Sequence, residues 1–207
     1  MIGTIEYTIE DGRWMISLAR KSAVYYLTQH KRIDIPLDTP AKMREKSGVF
    51  VTFKSYPDDQ LRGCIGRPLP VAPLVEALID SAIDSAVSDP RFNSMTLEEI
   101  NKSTIEVSVL TPPQIIKVKK TVEYKERILV GRDGLIVEWP FGAGLLLPQV
   151  AVEEGWNSED FLANACMKAG APPDLWLTGN TKIYSFTAMV FYEVSPGGDV
   201  RRKALAT

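Results

Sequence analysis

The 207-residue sequence has few of the residue types that build compact catalytic or metal sites. It holds one histidine, His30, and two cysteines, Cys64 and Cys166, which are far apart in the chain. Because zinc sites collect several Cys and His ligands at short spacings, the sequence predicts no metal centre. The patterns GxxxxGK[ST] and GxGxxG are also missing, which argues against nucleotide binding through those motifs.

Long hydrophobic runs and an excess of one charge are lacking as well. No apolar run approaches the roughly 18 residues of a membrane span, and the N-terminal stretch MIGTIEYTIEDGRW carries acids where a secretory signal carries basic residues. The net charge is −2, and the basic runs at 117–120 and 201–203 are short. We therefore expect a cytoplasmic protein without strong nucleic-acid binding or membrane attachment. Such a compartment keeps thiols reduced, so no disulfide is expected.

What the sequence does contain is typical of a folded globular protein, and its first half mixes helix and strand signals. Hydrophobic residues make up 45% and charged residues 24%. Thr8 with Asp11 is a capping-box pattern that predicts a helix to about His30. The stretch 48–55 predicts a strand, a turn follows at YPDDQ, and 71–88 predicts a second helix. His30 would then cap a helix end rather than act in catalysis.

The second half is mainly β in pattern. A further capping box at Thr96 begins a short helix before a strand at 105–109, and the runs RILV, LIVEW and GLLL predict a meander. Asn157 begins a helix that places Cys166 on its core-facing side. A long final strand precedes a tail from about residue 196, and the polar stretch 114–126 suits an internal boundary. Without regular βαβ alternation, this order predicts an α+β fold with an antiparallel sheet flanked by helices.

The stretch LRGCIG places a cysteine between two glycines and close to two arginines. Arg62, Arg67 and the start of the following helix can supply the positive potential that lowers a thiol pKa. Gly63 and Gly66 lack Cβ atoms and can let a substrate or another backbone approach the thiol closely. On this interpretation Cys64 is a candidate nucleophile and Arg62 is its electrostatic partner.

A structural interpretation of the same stretch is equally concrete. The glycines can shape a β-bulge while Cys64 fills a small apolar hole, as unreactive buried cysteines do. Glu106 and Asp133 are candidate proton-transfer groups if they face the thiol, although Glu106 on the polar phase of a strand favours plain surface. Asp89 and Arg91, which follow a helix, are expected to pair with each other or with backbone ends.

Several segments in order resemble one known family, the AMMECR family. The resemblance is carried by LRGCIG (61–66), SAVSDPRF (85–92), IEVSVLTPP (105–113), GLLLPQVAVEEGW (144–156) and the CMKAG and LW elements around 166–176. It implies an α+β fold with a larger and a smaller lobe, with LRGCIG as the family signature. It implies no reaction and no cofactor, because the family has no established activity. Memo-type and radical-SAM-type proteins are the partners that it implies.

Two hypotheses from different classes follow from these patterns. In the first, the chain is a thiol-dependent enzyme, or a component of an enzyme system, with Cys64 as nucleophile, Arg62 as electrostatic partner or anion clamp and Glu106 or Asp89 as proton acceptor. In the second, the chain is a binding or adaptor protein that presents LRGCIG as an unreactive recognition surface in a cleft. Its binding residues would be Leu61, Gly63, Ile65 and Gly66.

Overall fold

The structure is a computed structural model that describes residues 6–203. The helices are α1 (Ile9–Gln29), α2 (Leu74–Val87), α3 (Leu97–Lys102), α4 (Tyr124–Arg127), α5 (Pro148–Glu153) and α6 (Ser158–Lys168), with 3-10 turns at Ala41–Arg44, Thr121–Glu123 and Leu175–Leu177. The strands are β1 (Gly48–Ser55), β2 (Leu61–Arg67), β3 (Ser103–Leu110), β4 (Gln114–Ile115), β5 (Asp133–Trp139), β6 (Gly142–Leu146), β7 (Lys182–Glu193) and β8 (Val200–Arg202). The chain divides into a larger unit, 6–110 with 189–203, and a smaller unit, 111–188.

The larger unit is an antiparallel sheet with helices packed on it. Strand β1 pairs with β2 on one side and β3 on the other, and β8 pairs with the last residues of β7. Helix α1 begins at the predicted capping box of Thr8 and Asp11, and α2 contacts α1, β1 and β2. Alternate residues of β1, namely Val49, Val51 and Phe53, are fully buried in the core of this unit. The residues between them therefore occupy the opposite face of the sheet.

The smaller unit has its own hydrophobic core. Strand β5 pairs with β6 and with the first part of β7, all antiparallel, and β4 adds a short pairing to β7. Helix α6 contacts β5 and β6. The core includes Leu135, Val137, Phe161 and Ile183, none of which has exposed surface. The α+β fold and its antiparallel sheet are thus as the sequence predicts.

Two local expectations are wrong. The run RILV (127–130) is not a strand, because the backbone of Leu129 is engaged in a local turn: its N–H donates to the Asp133 carboxylate, and its carbonyl accepts from the Asp133 N–H. The expected tail from about 196 contains β8, which is held by its ladder to β7 and by the burial of Val200. The last part of that tail, 204–207, lies outside the described residues.

Membrane-spanning potential can be assessed for the helices of residues 6–203. None of them combines the length and the apolar character needed to cross a bilayer.

Candidate functional site

Cys64 lies in the middle of β2, in a row of side chains that crosses the sheet of the larger unit. It is the cross-strand partner of Thr52 in β1, and Thr52 is in turn the partner of Glu106 in β3. Directly opposed residues point to the same face of a sheet, so the three side chains share the face opposite Phe53. The Thr52 hydroxyl donates to Cys64 Sγ over 3.2 Å. The thiol is half-buried and has a polar neighbour, so the expected apolar hole is not what surrounds it.

Glu106 is a buried carboxylate at the third place in this row. Only 7% of the residue is exposed, which contradicts the expectation that it lies on plain surface. Burial of a carboxylate is costly unless it is paired. Lys203 meets this requirement, since its Nζ lies 2.7 Å from Glu106 Oε2. The pattern of β3 could not reveal this, because residues on both of its faces are buried.

Asp89 and Arg91 hold the backbone of Cys64 from the side of α2. The Cys64 N–H donates to Asp89 Oδ2 over 2.8 Å, and Arg91 Nη2 donates to the same oxygen over 2.7 Å and to the Cys64 carbonyl over 3.3 Å. The Arg91 hydrogen bonds, against some cost of burial, lower the pKa of Asp89 to about 2, and the Cys64 N–H assists. The predicted pairing of Asp89 with Arg91 is confirmed.

The surroundings of Cys64 set the direction of its pKa shift. Burial raises the pKa of the thiol, and the Thr52 hydrogen bond and the Arg91 charge act against that rise. The carboxylates Glu106 and Asp89 add to it. The expectation of a lowered pKa for Cys64 is therefore wrong, because desolvation outweighs the nearby positive charge. A raised pKa disfavours the thiolate, which is the nucleophilic form of a cysteine.

Arg62 is engaged away from the thiol. It lies at a register irregularity between β1 and β2, where the pairing moves from Phe53–Gly63 to Lys54–Leu61. Its Nε donates to Glu99 Oε1 over 2.9 Å, and its Nη1 donates to the Asn93 carbonyl over 2.8 Å. The expected bulge is present, and Arg62 anchors the segment that begins α3.

The arginine that influences the pKa of Cys64 is Arg91, which the sequence predicts to pair with Asp89 or with backbone ends but not to act on the thiol. Arg67 is also engaged elsewhere, because its Nη2 donates to Asp84 over 2.9 Å. The signal in the sequence that could have identified Arg91 is its spacing from Asp89. Asp89 comes directly after α2, so it and Arg91 can reach the strand that packs against the end of that helix.

The two glycines of LRGCIG are required by packing. A Cβ on Gly63 would lie 2.0 Å from the Ser85 carbonyl oxygen of α2, and one on Gly66 would lie 2.3 Å from the Phe50 ring. A hydrogen bond that the Ile65 N–H donates to Ser85 Oγ over 2.8 Å also joins β2 to α2 at this close approach. Of the two expected uses of the glycines, the close approach of another backbone is confirmed at Gly63, where the Ser85 carbonyl of α2 occupies the space that a side chain would need. Leu61, at the start of β2, is 38% exposed.

The other residues singled out by sequence have structural surroundings. Asp133, in the smaller unit, binds the Arg132 guanidinium and the Leu129 N–H. His30 is the left-handed C-cap of α1, and Cys166 is fully buried, both as predicted. Over residues 6–203, no group of three or more His, Cys, Asp and Glu side chains is arranged to hold a metal ion.

These features define a class: an α+β protein of two compact units with a half-buried cysteine on the polar face of an antiparallel sheet. Residues 16–191 match the AMMECR1 family model. The chain belongs to the AMMECR1 family.

Similar archaeal proteins extend over almost the whole chain. Protein MJ0810 of Methanocaldococcus jannaschii is 50% identical over 199 residues, which are 96% of this chain and 98% of that protein. A Thermococcus gammatolerans protein is 53% identical over 204 residues, covering 96% and 99%. The crystal structure of uncharacterized protein PH0010 from Pyrococcus horikoshii has a TM-score of 0.89 and 53% identity, over 94% of this chain and 97% of that one. None of these names states an activity.

Proposed function

We propose that the chain is a thiol-dependent enzyme, or a component of an enzyme system, in which Cys64 is the nucleophile and Glu106 accepts its proton. The observation that carries this proposal is the row Cys64, Thr52 and Glu106 on one face of the sheet. This row places on the face that carries the thiol a carboxylate, which is the kind of group that can accept a proton.

The raised pKa of Cys64 supports the need for a base. A nucleophile that is protonated at its working pH is activated by an adjacent proton acceptor. Neighbouring strands lie about 4.8 Å apart, so the backbones of Cys64 and Glu106 are separated by roughly twice that distance, with Thr52 between them. Within residues 6–203 no hydrogen bond joins the two side chains, so the proposed transfer requires Thr52 or a water molecule to bridge them. The Glu106 charge acts on the thiol across this distance.

The proposed step conserves protons and electrons. The proton leaves Cys64 Sγ for the Glu106 carboxylate while a sulfur lone pair forms a bond to a carbonyl carbon of the substrate, and the electron pair of the broken C=O π bond moves onto the carbonyl oxygen. Asp89 and Arg91 fix the strand at Cys64 and are positioning residues, whereas Arg62 anchors the neighbouring segment. Leu61 and Ile65 are proposed to border the bound substrate, whereas Gly63 and Gly66 are taken up by packing against Ser85 and Phe50.

The cellular setting belongs to this proposal as well. The cytoplasmic location and the Memo-type and radical-SAM-type partners, which the resemblance implies, fit an enzyme system that modifies a shared substrate. Co-purification with proteins of those two types, followed by mass analysis of each component with wild type and with C64S, tests that setting. A mass change that needs Cys64 supports it, and a complex whose components never change mass contradicts it.

A recognition role is the second candidate, and two observations favour it. Burial raises the pKa of the Cys64 thiol, and Gly63 and Gly66 serve packing. The exposed Leu61 at the start of β2 would then be an apolar contact for a bound protein or peptide. In this role the thiol contributes shape and takes no part in covalent chemistry.

The substitution Glu106→Gln separates the two roles because they predict opposite signs. If Glu106 is the base, the rate at which iodoacetamide labels Cys64 at neutral pH falls by about 100-fold. If Glu106 acts only as a charge, its loss lowers the pKa of Cys64, more thiolate forms and labelling becomes faster. The control is Glu98→Gln, which removes an exposed carboxylate paired with Lys102 on α3. Faster labelling in E106Q alone would reject the base and leave the recognition role.

A further inference from the structure

A cavity of about 420 Å³ opens on the larger unit, and Glu106 is one of its walls. All of its lining residues belong to that unit. They come from the end of β1 and its turn, from β3, and from the segment where β7 and β8 meet. The side chains that matter for its chemistry are Lys54, Tyr56, Glu106, Tyr192, Arg201 and Lys203. The volume is in the range of small-molecule sites.

The charges around the cavity cancel in pairs, with one exception. Lys203 pairs with Glu106 at 2.7 Å, and Lys54 pairs with Asp59 at 3.3 Å. Glu193 points its carboxylate to Arg20 and to the Ile105 N–H, so its charge is matched within the core.

Arg201 is the charged lining residue that takes part in none of these ion pairs. Across residues 6–203 it forms no ion pair with a carboxylate, and its residue is exposed. It is the cross-strand partner of Tyr192, so both side chains lie on the same face of the β7–β8 ladder.

We propose that this cavity binds a small organic anion whose carboxylate or phosphate group is held by Arg201. A guanidinium presents a planar fork of donors that matches either group in a bidentate pair. Lys203 and Lys54 add positive charge at the wall, although each also has a carboxylate partner. Tyr56 and Tyr192 supply aromatic surface for the uncharged part of the ligand.

The cavity and Cys64 meet at Glu106. This residue lines the cavity and also ends the row that contains the thiol. The inference that the anion is the charged group of a substrate for Cys64 rests on the proposed function. The inference that the cavity binds an anion rests only on the residues that line it.

Binding of defined anions tests the site. Isothermal titration with inorganic phosphate and phenyl phosphate forms one arm, and titration with acetate and benzoate forms the other, so that the arms separate phosphate from carboxylate ligands. We expect saturable binding in at least one arm, weakened at least tenfold by Arg201→Ala. The matched control is Arg202→Ala, because Arg202 does not line the cavity. Arg202 is the cross-strand partner of Phe191, so its side chain lies on the other face of β8, where it is near Glu6.

Two results would overturn the anion site. One is the absence of saturable binding by wild type in both arms, and the other is an equal loss in R201A and R202A, which would indicate only general charge attraction. Cys64→Ser is expected to retain the wild-type affinity. Binding that survives in C64S and fails in R201A supports the site even if E106Q shows that Glu106 is not a base. The failure of either proposal is thus recognisable separately.

Discussion

The two cysteines, one in each unit, are buried to different extents and have different neighbours. Cys166 lies on α6 without exposed surface, in a core that includes Phe161 and Leu162. Cys64 is half-buried on β2, where a threonine hydroxyl donates to its sulfur. Burial raises the pKa of both thiols. The direction of a pKa shift therefore does not separate a structural thiol from a candidate nucleophile.

The groups within reach of each sulfur make the difference. Within residues 6–203, the polar influences on the pKa of Cys166 are a backbone hydrogen bond at Trp176 and the charge of Asp174. Around Cys64 they are a hydroxyl, a guanidinium and two carboxylates, and one of these carboxylates, Glu106, also lines a cavity. Cys64 thus differs from Cys166 in the charged and hydrogen-bonding groups around its sulfur.

The largest expected effect is on stability, and it comes from placing a methyl group between β2 and α2. In Gly63→Ala the new methyl group would lie 2.0 Å from the Ser85 carbonyl, a backbone atom that cannot turn aside. We expect the free energy of unfolding to fall by about 3 kcal/mol, measured by urea denaturation. This result would sharpen the comparison, because it assigns the glycine before Cys64 to packing.

Gly197→Ala is the control within the same unit. A Cβ there meets nothing within 4 Å, but the residue has a φ of +66°, so only backbone strain of about 1 kcal/mol is expected. Equal stability of G63A and G197A would contradict the packing requirement and restore the view that Gly63 is open to a substrate.

The second effect concerns access to the two thiols. We expect iodoacetamide to label Cys64 at least tenfold faster than Cys166 in the folded protein, because Cys166 reacts only when its core opens. Because the pKa of Cys64 is raised, its labelling rate should increase with pH to a midpoint above the ordinary value of roughly 8.5 for a free thiol. Peptide mapping over a pH series measures both quantities. Equally slow labelling of the two cysteines would remove the distinction between them.

Local chemistry explains why much of the fold could be predicted from the sequence. The capping boxes of Thr8 and Thr96 and the cap at Asn157 involve neighbours in the chain, and each helix begins where its cap indicates. The wrong prediction of a strand at 127–130 has a local cause too. Asp133 closes a turn there by hydrogen bonds, and a hydrophobic pattern does not report such bonds.

The site was harder to predict because its contacts are not local. The burial of Glu106 depends on a lysine at position 203, and the environment of Cys64 depends on the register of β1 with two other strands. Arg62 is two residues from Cys64 in the chain, but it is bonded to Glu99 and Asn93 and is not among the groups that shift the pKa of the thiol. Arg91, 27 residues away in the chain, donates to the Cys64 carbonyl.

The smallest effect tests which arginine acts on Cys64. Arg91→Ala should move the pH midpoint of Cys64 labelling upward, because it removes the positive charge that lowers the pKa of the thiol. The same change leaves the Asp89 carboxylate without its guanidinium partner, and that negative charge shifts the pKa in the same direction. Arg62→Ala should leave the midpoint unchanged, because the Arg62 guanidinium is paired with Glu99. Arg91→Lys, which retains the charge, should restore the midpoint at least in part. If R62A moves the midpoint and R91A does not, the charges that act on Cys64 are those nearest in sequence, and the contrast between the two thiols needs a different physical cause.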